Sequence, residues 1–167
     1  QIWSQSSLPN EVFKKDKQQY DYFKFNKKTL LEDYLKQELK IRERIIFENR
    51  AFVVLTPFWA IWPYEVMIIP KIPEKSINEL RIEETILFAE AISVLTKAYD
   101  TLFDCSFPYS SGIHQAPTNN KDNSHWHWHM SYQFITLISI LHSCMLIWRN
   151  QCIYMVLQGM SVNLVIV

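Results

Sequence analysis

The chain has 167 residues, room for one full domain with a piece of another, and its 49% hydrophobic and 14% aromatic content supplies a core. Its 17 basic and 17 acidic residues give a formal net charge of +0, which leaves no electrostatic ground for binding nucleic acid or an anionic membrane. Gly112 and Gly159 are its only glycines, so a glycine-rich phosphate loop of the Walker or Rossmann kind is excluded.

The first residue is Gln1 and not Met, which points to sequence upstream. Gln1 to Asn10 lacks the basic and apolar segments of a secretory signal. Lys28 to Lys40 places Leu30, Leu31, Tyr34 and Leu35 on one helical face. Arg44 to Glu48 and Ala51 to Thr56 read as strands joined at Asn49-Arg50, a hairpin, and Glu65 to Pro70 reads as a third strand. Between them, the aromatic run Phe58 to Tyr64 reads as core and interface packing in preference to a sugar-stacking platform. A long helix starts near Ile82 or Glu83, with Ile86, Leu87, Ala89, Ile92, Leu95 and Ala98 at three- and four-residue spacing. Ser106 to Tyr109 is a further strand. Strands, a long helix and strands again make an α+β fold, an antiparallel sheet packed by helices.

His125-Trp126-His127-Trp128-His129 alternates with strand period, sending three histidines to one face and two tryptophans to the other. Imidazoles about 7 Å apart on one face can bind a metal, grip a phosphate or move protons, with His114 joining from a neighbouring strand. They can also be plain polar surface. Cys105, Cys144 and Cys152 are odd in number and lack metal-site spacing, which fits free thiols in the cytoplasm.

Composition breaks near residue 130. All seven prolines precede it, and from Met130 to Val167 Arg149 is the only charge. The longest apolar run, Phe134 to Trp148, is short for a membrane span of about 20 residues. A buried core segment, a membrane-associated tail and non-native sequence such as a frameshift all fit this stretch, and the last fits best.

Several motifs resemble those of the galactose-1-phosphate uridylyltransferases. Pro57 to Glu65 (PFWAIWPYE) resembles P-F/Y-W-A-x-W-P-F/Y, and Tyr99 to Ser110 (YDTLFDCSFPYS) resembles YDNLF-x-x-SFPYS. Gly112, His114, Ala116 and Pro117 match G-W-H-x-A-P. His125-Trp126 with His129 matches H-W-x-x-H, and Gln1-Ile2-Trp3 and Leu8-Pro9-Asn10-Glu11 match Q-I/V-W and L-P-N-E. The matches run collinearly to about residue 129.

This resemblance implies a histidine-triad-like α+β fold, present twice in the family. Residues 1–27 would end the first copy, residues 28–129 would form an incomplete second, and residues 130–167 would be an apolar tail of doubtful origin. It implies a nucleotidyltransferase that moves UMP between sugar 1-phosphates, UDP-glucose and galactose 1-phosphate, through a uridylyl-histidine. The nucleophilic histidine of H-P-H-x-Q would lie ahead of Gln1, so the chain alone carries no catalytic residue and Gln1 is its substrate-binding residue. A homodimer when intact is implied, with no nucleic-acid or membrane partner.

For the metal, zinc or iron, the implied ligand positions fall on Lys15, His114, His129 and Ser131. His114 and His129 are the metal ligands that remain, with His127 on the same strand face. A lysine ammonium has no acceptor, and two imidazoles fall short of a structural tetrahedral site. The alternative is a nucleotide-binding or interaction module of the same fold without chemistry.

Overall fold

The computed structural model describes residues 9–104, 108–119, 121–134 and 164–166. Gln1, the three cysteines and most of the apolar run from Phe134 to Trp148 lie outside them.

Helix α1 (Asn10–Asn26) comes first, and sequence periodicity does not announce it. It closes at Lys27, in the left-handed region, whose N–H donates to the Phe23 carbonyl at 2.8 Å. Helix α2 (Leu30–Ile41) follows at once. The Thr29 hydroxyl accepts from Glu32 N–H at its N-terminus, and Glu32 and Asp33 suit the positive end of the helix dipole.

The hairpin of β1 (Ile45–Glu48) and β2 (Phe52–Leu55) forms as expected. Asn49 Oδ1 accepts from the N–H groups of Ala51 and Phe52, so the turn is closed by its own side chain. Strand β3 (Val66–Pro70), helix α3 (Ile82–Phe103), β4 (Tyr109–His114), β5 (His129–Phe134) and the short β6 (Leu164–Ile166) complete the order. The sheet runs β1-β2-β3-β5-β4-β6, antiparallel throughout except for β6, which lies parallel to β4.

Strand alternation sorts the core into two halves. Phe52, Val54, Val66, Ile68, Ile113, Trp128, Met130 and Tyr132 pack with Phe88, Ala91, Leu95 and Tyr99 of α3. Val53, Leu55, Met67 and Ile69 face the other way, onto Leu31 and Leu35 of α2. Each such aliphatic side chain stabilises the fold by roughly 1.5–3 kcal/mol through burial.

Three expectations are corrected. The buried face of α3 is Glu84, Phe88, Ala91, Leu95 and Tyr99, whereas Ile86 is 66% exposed and Ala89 also lies outside. The aromatic run is a surface loop and no part of the core, with Phe58, Trp59, Ile61, Trp62 and Tyr64 all exposed, so of the expected core and interface packing only the core part is corrected. It is anchored from within: Tyr34 Oη accepts from Phe58 N–H, Glu65 accepts from Ile61 and Trp62 N–H, and Tyr99 Oη donates to the Tyr64 carbonyl. Finally, the composition change at residue 130 is no structural boundary, because β5 runs through it between β3 and β4.

Candidate functional site

The histidine segment leaves a turn at Ser124-His125, closed by Trp126 N–H donating to the Asn123 carbonyl at 2.9 Å, and enters the sheet only at His129, the first residue of β5. From His127 onward the alternation holds. Trp128 meets Phe52 and Phe88 edge-on at 5.9 and 5.2 Å on the α3 side. His127 and His129 point to the side covered by α1 and α2. Before that the alternation fails, since both His125 and Trp126 turn toward α1. All five side chains are buried, so the expected open row of three imidazoles is replaced by separate, individually satisfied histidines.

His125 Nε2–H and Trp126 Nε1–H donate to the same oxygen, Asp16 Oδ1, at 2.8 and 2.7 Å. His127 is fully buried. Its Nε2–H donates to the Pro70 carbonyl at 2.8 Å, which leaves Nδ1 to accept from the Thr29 hydroxyl at 3.2 Å. Burial holds its pKa down at about 4, against the pull of the Pro70 hydrogen bond. One neutral tautomer thus ties β3, the N-terminus of α2 and the segment leading into β5.

His129 pairs across the strands with His114, the last residue of β4. Their rings stack with centroids 5.0 Å apart and planes at 25°. His129 Nδ1–H donates to the His127 carbonyl at 3.2 Å. On the far side, Lys15 of α1 places its Nζ 3.4 Å from His114 Nδ1. An ammonium has only donors, so Nδ1 accepts and the imidazole proton sits on Nε2. Burial first, and the Lys15 charge second, lower the His114 pKa to about 4; burial also lowers that of His129, with the neighbouring His114 adding to it.

The structure therefore brings together His114 and His129, the two metal ligands implied by the resemblance, with Lys15 beside them. Ser131, the fourth implied position, lies opposite Gly112 on β4 and Met67 on β3. Asp16, the carboxylate adjacent to Lys15, is engaged by His125 and Trp126. Among the described residues no three His, Cys, Asp or Glu side chains converge as a metal site requires. Two imidazoles and an ammonium do not fit zinc or iron.

Asp16 and Thr29 escaped the sequence reading, since partners 98 to 110 residues away leave no local pattern. A cavity of about 320 Å³ opens elsewhere, beside the start of α3, with Arg50, Glu74, Arg81, Glu83 and Glu84 in its wall. Its guanidiniums are taken up by Glu83 and Glu84, at 3.2 and 2.6 Å, so it offers no ready phosphate cradle. Among the described residues no helix is long and apolar enough to cross a membrane.

Residues 15–140 match the family model described as galactose-1-phosphate uridyl transferase, C-terminal domain. A galactose-1-phosphate uridylyltransferase of Haemophilus influenzae is 45% identical over 132 residues, which cover 79% of this chain and 38% of that protein. One of Hypocrea jecorina is 43% identical, over 77% of this chain and 35% of that one. The chain thus spans little more than a third of the length of these relatives. A solved uridylyltransferase superposes with a TM-score of 0.71 at 28% identity, over 78% of this chain and 40% of the other. An ADP-glucose phosphorylase of Arabidopsis thaliana, with bound ADP-glucose, shares the fold at a TM-score of 0.67 and 19% identity, over 95% of this chain and 46% of that one.

Proposed function

The chain belongs to the galactose-1-phosphate uridylyltransferase family, within its C-terminal domain, and on that premise we propose that the intact protein transfers UMP between sugar 1-phosphates. The substrates are UDP-glucose and galactose 1-phosphate, and the reaction runs through a uridylyl-histidine. The family match over residues 15–140 carries this reading.

A supporting part for this domain fits the geometry of its histidines. A phosphorus electrophile needs an imidazole with a free lone pair that substrate can reach. His125, His127 and His129 are buried, and His125 and His127 spend their ring N–H groups on Asp16 and Pro70. His114 presents Nδ1 to Lys15. None is placed as a nucleophile, and the sequence contains no H-P-H motif. The attacking histidine then belongs to the family's other domain, directly ahead of Gln1, whose amide donates to a phosphoryl oxygen. The intact protein is a homodimer on the family resemblance alone, and an odd number of cysteines without metal-site spacing fits the cytoplasm.

Two assays test this. The 167-residue chain alone is expected to show no exchange between UDP-glucose and galactose 1-phosphate and no uridylylated histidine after incubation with labelled UDP-glucose. A chimaera carrying residues 15–134 of this chain in place of the matching segment of the Haemophilus influenzae relative is expected to retain exchange. A folded chimaera that forms the uridylyl-histidine but passes nothing to galactose 1-phosphate overturns the assignment, as does turnover by the isolated chain.

A further inference from the structure

We propose that the Lys15 ammonium is the resident cation of the His114–His129 site, standing where the implied ligand set would hold a divalent metal, so that this domain closes without metal. Three observations on separate elements converge. The cross-strand register of β4 and β5 sets His114 opposite His129 and stacks their rings at 5.0 Å, which fixes two potential ligands whatever α1 does. Helix α1 then delivers a positive charge to that pair, with Lys15 Nζ 3.4 Å from His114 Nδ1. The adjacent carboxylate, Asp16, is committed to His125 and Trp126, and Ser131 supplies a hydroxyl where a third imidazole would be needed.

The chemistry follows from charge and lone pairs. A divalent cation brought to His114 Nδ1 would meet the Lys15 ammonium within a few ångströms, and among the described residues no third His, Cys, Asp or Glu side chain converges there to complete its shell. The ammonium does part of the metal's structural work: it links α1 to β4 across 99 residues of sequence. It supplies no Lewis acidity, so no step of the proposed transfer passes through this site. The inference rests on the family assignment but not on the proposed activity, because its readouts are metal content and melting.

The test uses the chain itself, with zinc alone as the probe and cobalt(II) as the spectroscopic reporter. The native chain, freed of metal by chelation, is expected to bind no stoichiometric zinc at this pair and to melt at the same temperature with zinc or with EDTA. Lys15→Glu is expected to lower the melting temperature in EDTA by about 5 °C, through loss of the α1 tether, and to recover it on adding zinc. The K15E/S131H variant, which adds one carboxylate and one imidazole to the pair, is expected to bind zinc at least about 100-fold more tightly than the native chain and to develop visible cobalt absorption. One equivalent of zinc on the native chain, lost in His129→Asn, overturns the proposal. So does a folded K15E/S131H that gains no zinc affinity. Should that variant not fold, the native chain's zinc content and its response to His129→Asn still decide.

Discussion

Both ring nitrogens of His127 are spent on neutral hydrogen bonds, so a proton that charges it must displace the Thr29 hydroxyl proton from Nδ1 and reverse that bond. This sets a pH dependence whose sign can be worked out. The ordinary histidine pKa is 6.5, and the folded value of about 4 lies below it. Below 6.5 the unfolded chain takes up protons that the folded chain refuses, so stability is fully present above 6.5 and drains away as pH falls toward 4. For His127 alone this amounts to on the order of 3 kcal/mol. Urea unfolding at about pH 7.5, 6 and 5 is expected to show falling stability, and His127→Gln, which keeps one donor and one acceptor, to flatten the slope. A slope unchanged by that substitution would show that His127 is not the group responsible. Asp16 gives a second case. Asp16→Ala leaves the buried N–H groups of His125 and Trp126 without an acceptor and is expected to cost about 2–4 kcal/mol, with amides of α1 exchanging at least 10-fold faster by hydrogen–deuterium exchange. The importance of these histidines was legible, because three in strand alternation stand out in any sequence. Their roles were not, because the groups that satisfy them (a carbonyl on Pro70, a hydroxyl on Thr29 and a carboxylate on Asp16) lie far away in the chain.

At the scale of elements, α2, the hairpin and β3 were readable because each has one apolar face and a turn or cap beside it. Helix α1 was not. Its inward positions include Lys15, Asp16 and Gln19, so the face that docks is polar and carries no apolar stripe to detect. Helix α3 failed in the opposite way. It is apolar enough that two stripes overlap, and Ile86 with Ala89 looked as good as Phe88 with Ala91. The structure decides for the stripe that meets Phe52 and Trp128. Paired substitutions separate the two. Leu95→Ala is expected to cost about 2–5 kcal/mol, by removing a nearly fully buried side chain, and Ile86→Ala no more than about 0.5 kcal/mol. Denaturant midpoints at unchanged m-value are the measurement, and a comparable loss at both positions would mean that the helix presents a different face. The aromatic loop lies outside the core for a related reason: tryptophan and phenylalanine argue for burial, and only the tertiary anchors Tyr34, Glu65 and Tyr99 show that the backbone is held while the rings stay outside.

For the whole molecule, the decisive element is β5, because it joins the β1-β2-β3 half of the sheet to β4. It pairs with β3 on one side and β4 on the other, carries Met130 and Tyr132 into the α3 core, and brings His129 to His114. An edge strand can be lost with little more than a row of hydrogen bonds, but removing a central strand splits a sheet into pieces too small to bury their faces. The sequence places a sharp fall in charge at residue 130, the second residue of this strand, and composition alone invites a cut there. Cutting there should be ruinous. A chain stopped after residue 129 leaves β3 and β4 with no shared neighbour and uncovers Trp128, and is expected to lose cooperative unfolding and near-ultraviolet circular dichroism. A chain stopped after residue 140, where the family match ends, keeps all of β5 and is expected to unfold in one transition. Equal behaviour of the two truncations would remove β5 from the centre of the sheet, and with it the register that sets the two imidazoles face to face.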